Sequence, residues 1–153
     1  HIDQSLFART ILGEKNGPPP EVNLFNEKNN GESLLNLIDK NYIKSAHDIS
    51  LGGLITALSK MCIKGNKGIK IKESQRLVNE IEYFFSEDQG RYLIEINPKN
   101  LKEVTKILDK NSVHHEELGV IIDKDMIINK KTKVTINELR SYNTKWLKEY
   151  MSS

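Results

Sequence analysis

An α/β sandwich, a mixed β-sheet with helices packed on it, is the fold class that the 153-residue sequence predicts. Two observations carry it. Segments that alternate with a period of two are interleaved along the chain with segments whose apolar residues recur every three or four positions. A content of 37% hydrophobic and 29% charged residues suits one self-standing core of ordinary domain length. The expectation is one domain over residues 1–153, with 13–22 as a proline-rich connector.

Each element has its own local reason. Ser5 to Leu12 shows helical apolar spacing and stops at Gly13, which accepts the left-handed conformation that ends helices. Pro18, Pro19 and Pro20 hold the next stretch extended. Asn23 to Asn41 reads as a helix through Leu34, Leu35, Leu37 and Ile38, with Gly31 as its weak point. A short extended run, Tyr42 to Ala46, leads to His47 and two glycines, after which Leu54, Ala57, Leu58, Met61 and Cys62 mark a helix. Gly68 to Lys72 alternates as a strand. Residues 73–83 are ambiguous, although Leu77, Val78 and Ile81 fit a short helix.

Tyr83 to Phe85 reads as a β-like segment before the polar turn Ser86 to Gly90, and Arg91 to Ile96 leaves that turn as a strand. Asn97-Pro98 opens a helix that buries Leu101, Val104, Ile107 and Leu108. Leu118 to Ile122 is a strand, and Asp125–Ile128 with Lys133–Ile136 is a hairpin. Asn137 is expected to cap a last helix that buries Leu139, Tyr142, Trp146, Leu147 and Tyr150.

Charge and cysteine content exclude several classes. The 23 Lys and Arg against 21 Asp and Glu leave a net charge of +2, with the lysines scattered rather than clustered, so no nucleic-acid partner is expected. No apolar run approaches the roughly 20 residues of a membrane helix, and no membrane role is expected. The single Cys62 cannot form an internal disulfide and sits at helical spacing from Leu58, which predicts a buried thiol in a reducing, cytoplasmic setting. His114 and His115 lack a third ligand nearby and read as a surface pair. His1 in place of an initiator Met, with a helix pattern under way at Ser5, suggests a piece of a longer polypeptide.

Two motifs look chemical. The first, His47-Asp48-Ile49-Ser50-Leu51-Gly52-Gly53, joins a strand to a helix. Paired glycines let backbone approach a ligand, and a helix N-terminus offers amides to phosphate. Asp48 is an oxygen ligand of the kind Mg²⁺ takes beside nucleotide phosphates, and Ser50 lies on the same side of an extended segment. The plain alternative is a helix cap and a tight turn. The second motif, Ser86-Glu87-Asp88-Gln89-Gly90-Arg91, could hold a metal or polar ligand, or be a solvated loop.

Taken in order, Pro18-Pro19-Pro20, Asn30-Gly31, the His47–Leu54 stretch and Phe85-Ser86-Glu87-Asp88-Gln89-Gly90-Arg91-Tyr92 resemble the C-terminal end of the phosphoribosylformylglycinamidine synthase subunit II (PurL) family. The resemblance runs from residue 1 to about residue 122. It implies the C-terminal-type fold named for aminoimidazole ribonucleotide synthetase, present here as the last such domain of a larger synthetase. The proline run and the Ser-Glu-x-Gln-Gly-Arg turn favour this family over the related selenophosphate synthetases and thiamine-monophosphate kinases.

The implied activity is an ATP-dependent ligation. Formylglycinamide ribonucleotide, ATP and glutamine-derived ammonia give formylglycinamidine ribonucleotide in purine biosynthesis. The resemblance implies Mg²⁺ and ATP or ADP as cofactors, Asp48 as a metal-binding residue, and Ser50, Gly52 and Gly53 as nucleotide-binding. Glu87 and Gln89 match positions that contact the ribonucleotide in the other copy of the domain. The implied partners are the upstream domains, a glutaminase subunit and a small accessory subunit. Leu51 departs from the family, which usually has Asp there, and so favours an alternative: a structural or assembly domain with a vestigial nucleotide site. No catalytic residue is expected in this chain, and the isolated fragment is expected to be silent.

Overall fold

The computed structural model describes residues 1–72, 79–130 and 132–152. Leu77 and Val78, part of the expected short helix, lie outside the described residues. A π-helical turn, Ala8–Leu12, precedes α1 (Leu24–Asp39), β1 (Ile43–Asp48), α2 (Gly53–Gly65) and β2 (Gly68–Ile71). Then come α3 (Glu80–Phe85), β3 (Tyr92–Ile96), a 3₁₀ turn at Pro98–Asn100 and α4 (Leu101–Lys110). The chain ends in β4 (Gly119–Ile122), β5 (Met126–Ile128), β6 (Thr132–Val134) and α5 (Ile136–Ser152). The class is mixed α/β. The described residues form two compact units, 1–57 with 79–116, and 58–72 with 117–152, residue 131 excepted.

In the first unit β1 and β3 pair antiparallel, with Ala46 opposite Ile94 and Asp48 opposite Tyr92. Leu37 of α1 joins Val104 and Leu108 of α4 in a core that also takes Ile43, Ile94, Ile96 and Ile107. Asn23 caps α1 by accepting from the Asn26 amide at 3.0 Å, and Gly31 is carried within the helix. Buried Ser33 of α1 accepts from Asn111 Nδ2 at 2.9 Å. Of the four leucines and isoleucines that signalled α1, only Leu37 is buried; Leu35 and Ile38 lie exposed. Asn97 caps the 3₁₀ turn through the Lys99 amide, so that α4 starts at Leu101, which stays on the exposed side.

Gly13 ends the N-terminal turn with φ 72°, as the sequence leads one to expect. Tyr83, Phe84 and Phe85 are helical rather than extended. Asn79 accepts from the Ile81 amide at 3.0 Å, and Glu80 and Glu82 in the first turn favour a helix over a strand. The Phe85 ring packs on Phe7 with centroids 4.6 Å apart.

The second unit is a four-stranded mixed sheet in the order β4-β2-β5-β6. β2 runs antiparallel to β4 and parallel to β5, and β5 turns back into β6 as the expected hairpin. Ile69, Ile71 and Met126 are buried. Cys62 is buried too, and that burial pushes its thiol above the ordinary range.

The cap of α5 is Thr135, two residues before Asn137. Its hydroxyl accepts from the Glu138 amide at 3.1 Å, while Glu138 Oε2 accepts from the Thr135 amide at 2.8 Å. That reciprocal pair satisfies two amides at once, which Asn137 alone would not do. Arg140 donates to Asn66 Oδ1 at 3.0 Å and so ties α5 to the end of α2. The aromatic residues expected inside are outside. Tyr142, Trp146 and Tyr150 are exposed, with Trp146 and Tyr150 stacked at 5.5 Å. Helical spacing identifies an apolar face, but only a packing partner buries it.

Candidate functional site

The first motif takes shape where β1 ends. Ile49 is buried and its amide donates to the Arg91 carbonyl at 2.9 Å, extending the strand pairing by one residue. Alternation then puts Asp48 and Ser50 on the exposed side. The chain turns as the Gly53 amide donates to the Ser50 carbonyl at 2.9 Å. Gly52 and Gly53 have φ 84° and 70°, a region other residues enter only with strain. A Cβ on Gly53 would lie 2.7 Å from the Phe84 carbonyl oxygen. Both glycines suit the turn by their positive φ, and Gly53 also permits close packing on the end of α3.

The second motif is held from several directions. Ser86 is buried, and Arg91 Nη1 donates to its hydroxyl at 2.8 Å. Asn30, from the middle of α1, donates to the Gly90 carbonyl at 2.9 Å. Glu87 Oε1 accepts from the Gly52 amide at 2.8 Å and from the Leu6 amide at 2.8 Å. The two motifs are thus tied directly to each other and to the N-terminal segment.

Between them lies an open cleft of about 320 Å³. Asp48, Ser50 and Leu51 line one side, and Glu87, Gln89, Arg91 and Tyr92 the other. Four of the residues singled out from the sequence, Asp48, Ser50, Glu87 and Gln89, therefore share one cavity. Gly52 and Gly53 do not line it. The Asp48 carboxylate is 67% exposed and 3.4 Å from His47 Nδ1. Leu51 stands in the cleft with 64% of its surface exposed.

Among the described residues, no three His, Cys, Asp or Glu side chains gather to hold a metal ion. One exposed carboxylate suits an ion that arrives on phosphate oxygens, since Mg²⁺ keeps waters and takes only one or two carboxylates. It does not suit a free-standing metal centre. His115 is half-buried, with Nδ1 3.0 Å from the Val113 carbonyl and Nε2 3.8 Å from Asp109.

Sequence reasoning missed the structural use of Asn30 and Glu87. Asn30 had a signal only in its place beside Gly31 in the family pattern. For Glu87 no local signal exists, because its partners lie 35 and 81 residues away.

A mixed α/β fold with a polar cleft between a glycine turn and an acid-amide turn is the class these features define. The chain belongs to the family of the C-terminal domain of AIR synthase related proteins, whose pattern matches residues 4–129. It is 63% identical over 153 residues to the phosphoribosylformylglycinamidine synthase subunit PurL of Pelagibacter ubique (strain HTCC1062), covering all of this chain and 21% of that protein. The PurL subunit of Bartonella henselae is 37% identical over 151 residues, 99% of this chain and 20% of that one. This chain therefore spans about a fifth of the length of these relatives.

Solved structures share the fold. Thermotoga maritima PurL complexed with FGAR superposes with a TM-score of 0.72 at 20% identity, covering 87% of this chain and 24% of that one. The structure of PurLQS from the same organism gives 0.68 at 21% identity, covering 86% and 24%. No helix among the described residues is long and apolar enough to cross a membrane.

Proposed function

We propose that residues 1–153 are the last C-terminal-type domain of a phosphoribosylformylglycinamidine synthase, with 13–22 as its connector. The whole enzyme is an ATP-dependent ligase acting on formylglycinamide ribonucleotide. The amide oxygen of that substrate takes the γ-phosphoryl group of ATP, and ADP leaves. Ammonia then adds to the imidate carbon, and phosphate departs with the former amide oxygen. One geometric observation supports placing a ligand here: Glu87 joins the two motifs so that Asp48, Ser50 and Gln89 face a single cleft. The likeness to the Pelagibacter subunit across the whole chain supplies the reaction class.

Within this domain Asp48 would hold Mg²⁺ and Ser50 would contact nucleotide, with Gln89 facing the ribonucleotide or its pseudo-symmetric counterpart. Bound Mg²⁺ would neutralise phosphate charge, which is the larger part of the task in phosphoryl transfer. Gly52 and Gly53 serve that contact from behind, by setting the turn that carries Ser50. The upstream domains complete the active site, and the isolated fragment makes no product. A glutaminase subunit and a small accessory subunit are the expected partners, in keeping with the PurLQS assembly of the Thermotoga neighbour. The working compartment is the cytoplasm.

A second reading has specific support. Leu51 stands in the cleft wall where the resemblance implies an Asp, and Glu87 Oε1 is already engaged by two backbone amides. Both favour an assembly domain with a vestigial site. Calorimetry with Mg·ADP on the complete subunit separates the two. Asp48→Ala is expected to weaken binding by roughly ten- to a hundred-fold, the equivalent of one charged contact. Unchanged binding and unchanged synthesis would favour the assembly reading.

A further inference from the structure

We infer that Glu87 is a positioning residue, which holds the glycine turn and the N-terminal segment in place and does not itself contact a ligand. One oxygen, Oε1, accepts from both the Gly52 and the Leu6 amide at 2.8 Å. Each amide stands at the start of a helical segment: Gly52 just ahead of α2, and Leu6 in the first turn of the segment that continues through Ala8–Leu12. Amides in such places have no partner within their helix and favour an anion. A single carboxylate therefore serves two chain segments that are far apart in sequence. Oε1 cannot turn toward a ligand without breaking both bonds together.

The surrounding contacts point the same way. The Phe7 ring packs against Phe85 at a tilt of 36° next to Leu6, and both Ser5 and Ala8 are buried. Gly52 has φ 84°, and its amide points at Glu87 only while the left-handed turn holds. The same turn carries Ser50, whose carbonyl receives the Gly53 amide. Loosening Glu87 releases the turn, and with it the wall of the cleft that contains Asp48 and Ser50.

The test uses the complete subunit and two readouts, and only the second rests on the nucleotide reading of the cleft. Hydrogen–deuterium exchange of peptides covering Leu6 and Gly52 is compared among wild type, Glu87→Ala, Glu87→Gln and, as an unrelated surface control, Glu21→Gln. Glu87→Ala is expected to speed exchange at both places together, while Glu87→Gln, which keeps an acceptor oxygen, stays near wild type. Mg·ADP binding should follow, about tenfold weaker in the Ala variant and within about threefold in the Gln variant.

Unchanged exchange at either amide in Glu87→Ala overturns the inference. So does a Gln variant as weak in nucleotide binding as the Ala variant despite normal exchange, because that marks a direct ligand contact. If Glu87→Ala fails to fold, the Gln variant decides by the same two measurements. Should Mg·ADP binding prove insensitive to both Asp48→Ala and Glu87→Ala while exchange changes as stated, the nucleotide reading fails and the positioning role stands.

Discussion

Gly53 lies so close to the end of α3 that a Cβ on it would sit 2.7 Å from the carbonyl oxygen of Phe84. The neighbour is backbone, which cannot swing aside as a side-chain tip can. The glycine pair is thereby explained by packing and by positive φ before any ligand is considered. It also yields an internally controlled prediction.

Gly53→Ala is expected to destabilise the chain by about 2 kcal/mol or more, from left-handed strain plus overlap with backbone. Gly13→Ala shares the positive φ but meets nothing within 4 Å. It should cost only about 1 kcal/mol. Denaturant unfolding of the two variants side by side checks the difference. Equal losses would mean that the contact with Phe84 carries no weight.

Leu37→Ala removes the central side chain of the first unit's core, which is 1% exposed between Val104 and Leu108. A loss of about 2–5 kcal/mol is expected, as for other buried leucines. Leu35→Ala, two residues away and exposed, should change stability by less than about 0.5 kcal/mol. Chemical unfolding curves for the pair report whether α1 faces the core through Leu37.

Leu51→Asp should be tolerated structurally, because the side chain is largely exposed in the cleft. Placed near Asp48, a second carboxylate is expected to tighten Mg²⁺-dependent ADP binding in the complete subunit. Calorimetry at varied Mg²⁺ is the measurement. No gain at any Mg²⁺ concentration would count against a metal at Asp48.

The Thr135–Glu138 pair predicts a pH dependence. The Thr135 amide, then its hydroxyl, holds the Glu138 carboxyl below its ordinary value. A carboxyl lowered by folding contributes stability above its unfolded pKa of about 4.3, and that contribution disappears as pH falls through the folded value. The melting difference between wild type and Glu138→Gln should therefore be present at neutral pH and shrink below about pH 4. Thr135→Ala is expected to cost about 1 kcal/mol at pH 7 through the lost cap. Circular dichroism melts at several pH values test both.

Cys62, 7% exposed and with its thiol pushed up by burial, should resist alkylation in the folded chain and react fully once denaturant is added. Mass spectrometry of iodoacetamide-treated protein gives the answer directly. Rapid native labelling would contradict the burial.

Much of this molecule was legible locally. Asn97-Pro98, Gly13 and the alternation of Gly68–Ile71 each commit a few residues to a conformation through capping, positive φ or period, and all three are observed. Tyr83–Phe85 misled because aromatic residues suit strands, whereas the cap that makes them helical sits several residues upstream at Asn79. The motifs themselves, Asp48 to Gly53 and Ser86 to Arg91, stood out by composition and order.

Sequence alone determined most of the order of elements, Tyr83–Phe85 excepted, together with the family and the residue types available for a site, because these follow from short-range stereochemistry and from motif identity. Tertiary structure decided what each of those residues does. Glu87 became a joint acceptor for Gly52 and Leu6 only when folding brought three distant segments within hydrogen-bond reach. Leu37 was buried and Trp146 left exposed although both lie at helical apolar spacing. Period reveals that a face exists; contact between elements settles whether anything covers it.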